Sequence, residues 1–248
     1  MLSVLILFIA GFAGGVLIAI AGGGSFVTFP ALLFAGVPAV AANASSTVAL
    51  LPGNLSSAWA YRHDLLDISE INVKAFAATG LVGALCGAML LLVLPGSIFA
   101  RLVPWLMLFA TIVFAVGNFA PLGVLQRLRI GNRAALVILF LIAVYGGFFG
   151  GGLGFLMLAA LTLFGMRDIH AMNSVKLVLT LLMTVTAVAT FVTANVVYWT
   201  EAMPMLVGSL FGGHLGVRVA KQVDQHLLKA IIAALGAGLT FYFFWRGA

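Results

Sequence analysis

The sequence predicts an all-α polytopic membrane protein: two inverted-topology repeats of about five membrane segments each, with short or broken helices at Gly-rich motifs. Three observations lead there. The 248-residue chain is 64% apolar and 7% charged, with a mean hydropathy of +1.24, whereas a soluble domain is roughly a quarter charged. Its charges are confined to short gaps. The first 61 residues hold no Lys, Arg, Asp or Glu, and positions 75–100, 102–126, 134–166 and 177–200 are equally empty. Finally, the chain meets itself without gaps when shifted by 129 positions.

The same composition excludes a disordered chain, collagen, a coiled coil and a disulfide scaffold. A net charge of +6 could suggest a nucleic-acid partner, but the basic residues sit between apolar runs, where positive loops on one membrane face explain them better. Cys86 is the single cysteine, so no disulfide can form within the chain. No CxxC motif or Cys/His cluster is present, so neither a metal site nor a cofactor is expected. Residues 1–21 lack a basic leader region and run into a glycine motif that recurs later, so they read as a structural helix rather than a signal peptide.

The apolar segments, in order, are 2–21, 25–36, 44–61, 75–94, 101–118, 134–149, 153–165, 173–198, 202–220 and 227–246. A helix needs about 20 apolar residues to cross a bilayer, and segments 25–36 and 153–165 are short of that. The distribution of positive charge decides whether they cross. With ten crossings, one face receives Arg62, Lys74, Arg127, Arg129, Arg133, Arg167, Arg218, Lys221 and Lys229, and the other only Arg101 and Arg246. Without the two short crossings the split is six against five and the bias vanishes. Ten crossings are therefore expected, with both termini outside. Backbone breaks at membrane depth are tolerable only where protein or a watery cavity solvates them.

The 129-residue shift lays Gly22, Gly23, Phe26, Leu32, Gly36, Ala42 and Ser45 on Gly151, Gly152, Phe155, Leu161, Gly165, Ala171 and Ser174, and Gly83 and Gly87 on Gly212 and Gly216. Each half, 1–126 and 127–248, then holds five segments. An odd number makes the second half enter from the opposite face, an architecture of many secondary transporters. Gly83/Gly87, Gly208/Gly212 and Gly11/Gly15 are small-xxx-small pairs, read as close helix packing.

Polar chemistry gathers in two places. Gly22, Gly23, Gly24 and Ser25 precede one short segment, and Gly151, Gly152 and Gly154 precede the other. Glycine runs are disfavoured inside a helix, so they mark a break and a fresh helix start, with Ser25 placed to cap it. Helix N-termini attract anions, and two of them are expected to converge near the midplane. The second cluster is Asn43, Ser45, Ser46 and Thr47, answered in the other half by Asn173, Ser174 and Lys176. Caps alone do not require four polar residues in five positions. Asn54, Ser56 and Ser57 continue the first stripe, and Thr180 and Thr184 extend the second from Lys176. An intramembrane Lys is costly. Either it faces an anionic substrate or it snorkels to the face carrying Arg167. Trp105, Tyr198, Trp199, Tyr242 and Trp245 read as interfacial anchors.

With Gly22–Phe26 followed by Pro30, the Gly36-Val37-Pro38 turn, the Ala42–Ser46 helix start, Leu51-Pro52-Gly53, and their partners Gly150–Phe155 and Ala171–Ser174 leading into Lys176, the chain resembles the TauE/SafE (sulfite exporter) family of membrane transporters. The second half departs in having Ala159 opposite Pro30 and Arg167 opposite Pro38. The resemblance implies transport of small sulfur-containing anions such as sulfite, sulfoacetate or thiosulfate across the bacterial cytoplasmic membrane, without enzymatic chemistry. The residues independently favour an anion, because intramembrane carboxylates are confined to segment edges. A coupling proton or ion, a passive anion channel using the same lining, and transport of another small organic anion all stay open at this level.

Overall fold

The computed structural model describes residues 2–60, 73–119, 131–166, 169–220 and 225–246. These form ten helices: α1 Leu2–Ala21, α2 Ser25–Phe34, α3 Ala39–Ala60, α4 Val73–Val93, α5 Gly96–Phe119, α6 Asn132–Phe148, α7 Leu153–Leu163, α8 Ile169–Thr193, α9 Trp199–Ala220 and α10 Gln225–Arg246. By length and composition, α1, α4, α5 and α8 each hold a window apolar enough to cross a membrane. At 1.5 Å per residue, α2 and α7, with 10 and 11 residues, reach only about 15 Å.

Three helices begin a full turn or more earlier than the apolar runs suggest. Pro38 accepts the Ala42 N–H at 2.7 Å, so α3 starts a full turn ahead of residue 44. Pro95 does the same for α5 through Ile98 and Phe99, and the helix continues past Arg101. α8 starts at Ile169 rather than 173. A charge ends an apolar run but does not end a helix. Arg62, Arg127, Arg129, Arg167 and Lys221, which carry much of the charge asymmetry, lie outside the described residues.

Both short helices stop in the same way. Gly36 (φ +88°) and Gly165 (φ +97°) adopt left-handed backbone. Beyond them, Val37 N–H reaches Leu32 O and Met166 N–H reaches Leu161 O, each at 3.1 Å. This 6→1 closure satisfies carbonyls that would otherwise be orphaned at the helix end. A Cβ on Gly14 would fall 2.7 Å from Thr28 Cγ2, so α2 doubles back along α1.

The small-residue pairs pack helices at backbone distance. Gly11 and Gly15 of α1 lie on the backbone of Met205 and Ser209 in α9, while Gly208 and Gly212 of α9 lie on Phe8 and Phe12 of α1. Gly83 and Gly87 of α4 lie on Phe140 and Val144 of α6. Without a water-driven hydrophobic force between helices in lipid, this closeness supplies dispersion contact. Large apolar side chains such as Val4, Ile9, Val82, Met89, Ile112, Val137 and Phe211 are exposed on the outside, the surface a bilayer covers. Trp105, Tyr198, Trp199 and Trp245 are exposed as well.

The interior is dominated by edge-to-face aromatic rings. Phe29 meets Phe149 at 5.7 Å and Phe99 at 6.5 Å, and Phe99 meets Phe148 at 5.5 Å. Such geometry aligns ring edges with ring faces. A second apolar cluster draws Phe76 and Ala84 from α4 into contact with α6, α7 and α8.

Candidate functional site

Two chain breaks define the site. α1 ends at Gly22 (φ +73°), whose N–H reaches Leu17 O and Ile18 O at 3.0 and 3.1 Å. α6 ends at a turn in which Gly150 (φ +76°) and Gly152 (φ +72°) are both left-handed, a conformation that is costly for any residue with a Cβ. The half-buried Tyr145 donates its hydroxyl to Gly151 O at 2.7 Å and holds that turn from the side. Its ring packs against Phe109 and Phe149. The two breaks touch: a Cβ on Gly22 would sit 2.8 Å from the Cα of Gly154.

Around this contact lies a cavity of about 60 Å³, room for several waters or one small polyatomic ion. Its lining comes from Ile18, Gly22, Gly24 and Ser25 on the first break, Gly146, Gly150, Leu153 and Gly154 on the second, Thr47, Leu50 and Asn54 on α3, and Lys176, Leu177, Thr180 and Thr184 on α8. Of the residues expected at a binding site, the fold brings together Gly22, Gly24, Ser25, Thr47, Gly154 and Lys176. Gly23, Gly151 and Gly152 shape the breaks without lining the cavity. Lys176 is buried, 5% exposed, and lines the cavity.

Ser25 does not cap α2. Gly24 takes the cap position with helical dihedrals (φ −57°, ψ −33°) and no side-chain capping bond. An N-cap side chain works from extended backbone, and the glycine run lets the helix begin one residue sooner. That leaves the Ser25 side chain at the cavity.

The polar cluster on α3 has a different use from its own helix start. Because α3 begins at Ala39, Asn43 and Ser45 lie in its second turn and serve the ends of other helices. Asn43 Nδ2 donates to Phe148 O at 2.9 Å, a carbonyl at the end of α6. Ser45 Oγ accepts the Tyr198 N–H at 2.8 Å, just before α9. Both groups would lack a partner within their own helix. Ser46 pairs with Thr28 at 2.6 Å, and Thr28 also donates to Gly24 O at 3.2 Å, tying α2 to α3. Ser174 is buried in α8; Asn173 lies beside it in the same helix, and its side chain is outside the described residues.

The threonines are oriented by their own helices. Thr47 donates to Asn43 O, Thr180 to Lys176 O and Thr184 to Thr180 O, at 2.7–2.9 Å. Their hydroxyl protons are committed, which leaves these oxygens as acceptors. The first N–H groups of α2 and α7 are largely taken by the glycine carbonyls before them, Phe26 and Val27 by Gly23 and Gly24 O and Leu153 and Phe155 by Gly150 and Gly152 O, so donor chemistry in the lining rests on the Lys176 ammonium, the Ser25 hydroxyl and the Asn54 amide. The apolar members, Ile18, Leu50, Leu153 and Leu177, give no sign in the sequence, since a Leu facing a cavity and a Leu facing a neighbouring helix read alike.

A shell of apolar helices around a buried cationic cavity framed by two helix breaks is the build of a multi-pass membrane transporter. Residues 7–243 match the family described as Sulfite exporter TauE/SafE, and the chain belongs to that family, one of membrane transporters and not of enzymes. It is similar to the Probable membrane transporter protein ORF9 of Sinorhizobium sp, 29% identical over 94% of this chain and 89% of that one. A Probable membrane transporter protein of Haemophilus influenzae is 30% identical over 95% and 92%. The Probable membrane transporter protein YfcA of Escherichia coli K12 is 28% identical over 94% and 86%. No solved structure matches the chain.

Proposed function

We propose that the chain carries a small sulfur-containing anion, such as sulfite, a sulfonate like sulfoacetate, or thiosulfate, by alternating access across the bacterial cytoplasmic membrane. The observation that carries the reading is the Lys176 ammonium beside two converging helix starts in one cavity. An embedded cation and helix N-termini both favour negative charge. The cavity's size suits one compact oxyanion. Family membership supplies the sulfur chemistry.

In this reading the protein consists of two repeats of five segments, 1–126 and 127–248, inserted with opposite topology, and both termini lie on the periplasmic side. Several structural correspondences support the repeat. Thr111 and Thr240, 129 positions apart, bring their hydroxyls to 3.5 Å where α5 meets α10. The same separation relates Thr47 to Lys176, Ser25 to Gly154 and Gly24 to Leu153, all of which line the cavity. It also relates the two left-handed helix stops, Gly36 and Gly165. A two-fold axis between such pairs would run through the cavity, where an inverted-repeat transporter holds its substrate.

The deciding experiment is flux into vesicles containing the purified protein alone, with sulfite, thiosulfate, sulfoacetate and sulfate as probes. Saturable uptake with counterflow supports a carrier. Non-saturating flux supports a passive channel, and no flux of any of the four overturns the reading. Repeating the assay with and without a pH gradient identifies a coupling proton.

A further inference from the structure

We infer that the bodies which move during transport are not the two sequence halves but two units that have exchanged a helix: α1–α2–α3 with α9, and α6–α7–α8 with α4. This rests on the transport reading above.

The argument starts from the kind of contact at each interface. Where a glycine puts backbone on backbone, no side chain can rotate to accommodate sliding, and close-packed interiors switch between discrete arrangements rather than deform. Those seams occur between sequence halves. Gly11 and Gly15 fix α1 to α9, and Gly83 and Gly87 fix α4 to α6. Polar bonds reinforce the first seam: Ser209 Oγ of α9 donates to Ala49 O of α3. On the other side, the smaller of the two main apolar clusters is built from α4, α6, α7, α8 and the turn between α7 and α8. Ala88 and Leu91, near the end of α4, reach the larger cluster, next to the turn into α5 where a hinge would fall.

Between the units the contacts differ. Side chains make most of them: the Phe29–Phe149 rings, the Asn43–Phe148 O bond, the Leu17–Phe155 cluster and the part of the larger apolar cluster that includes Ala187 and Phe191, with the single Gly22–Gly154 backbone touch at the cavity. A carrier opens where its packing is thinnest, and here that line runs through the site. Rocking 1–126 against 127–248 would instead tear both glycine seams.

The test uses the full chain with Cys86→Ser in lipid vesicles. Oxidative cross-linking of Ala49→Cys/Ser209→Cys ties one sequence half to the other but lies within one proposed unit. Sulfite flux is expected to stay within about twofold of the reduced protein, whereas cross-linked Leu17→Cys/Phe155→Cys, which spans the units, should lose about tenfold and recover on reduction. Arrest by the first cross-link overturns the proposal.

Because Ser209 is buried, spin labels at the lipid-facing Ile9, Phe211, Val82 and Val137 provide a second measurement that needs no flux. Ile9–Phe211 and Val82–Val137 distances should be unchanged by sulfite, while Ile9–Val82, within one sequence half, shifts. A shift in either seam pair, or a fixed Ile9–Val82 distance, also overturns it. Absence of flux from the unmodified protein would count against the transport reading instead, and the seam distances would still report which helices move together.

Discussion

Gly22 and Gly154 meet backbone to backbone: any side chain on Gly22 would lie 2.8 Å from the Cα of Gly154. The contact joins the break after α1 to the start of α7 and forms part of the cavity wall. Two separate demands fall on Gly22, a left-handed φ of +73° and the absence of a Cβ. Gly36 faces only the first, with φ +88° and open space around it.

The pair predicts an ordering. Gly36→Ala is expected to cost about 1–2 kcal/mol through backbone strain alone. Gly22→Ala should cost more, because the neighbouring backbone must also move, and should weaken anion binding as well. Thermal unfolding in detergent with and without sulfite checks both. Equal losses for the two variants would show that the Gly22–Gly154 contact does not matter.

Among the described residues of the cavity lining, Lys176 is the one basic or acidic side chain. Lys176→Gln is expected to weaken anion binding about tenfold or more, the loss of one charge-assisted contact worth about 1.4 kcal/mol or above. Lys176→Arg should retain part of it. Calorimetric titration with sulfite measures the difference, and unchanged affinity in the Gln variant would remove Lys176 from the site.

Tyr145→Phe takes away one hydroxyl and leaves Gly151 O without the partner now 2.7 Å away. The expected result is about 1–2 kcal/mol of lost stability together with weaker binding, since the turn carrying the α7 start is loosened. A variant that unfolds earlier yet binds normally would separate the tether from the site.

Ser46→Ala and Asn43→Ala give a contrasting expectation. Their side chains bond Thr28 and Phe148 rather than line the cavity. Each should lose about 1–3 kcal/mol of stability by stranding a buried partner and leave the dissociation constant for sulfite nearly unchanged. A fall in affinity at constant stability would return them to the site.

Much of this was legible from residue order. Segment positions followed from the gaps between charges, and the breaks at Gly22–Gly24 and Gly150–Gly152 from glycine runs that no helix interior favours. The close packing of Gly83/Gly87 and Gly208/Gly212 followed from their spacing. What the sequence conceals is destination. Asn43 and Ser45 are cap-type residues and do satisfy helix ends, but the ends belong to α6 and the start of α9, and a side chain carries no label for a partner over a hundred positions away. Ser25 was displaced from its capping role because Gly24, with no Cβ, entered the helix first. The packing of α9 on α1 and of α4 on α6 was equally hidden, since a glycine seam announces close approach without naming the opposite helix.

The packed rings of Phe29, Phe99, Phe148 and Phe149 have a bearing on the cell's energy supply. They offer no hydrogen-bonding group along their edge-to-face stack, so no file of waters can thread between them and relay protons by hopping. That part of the molecule offers protons no hydrogen-bonded route, so a leak through a membrane protein of this build would have to pass elsewhere.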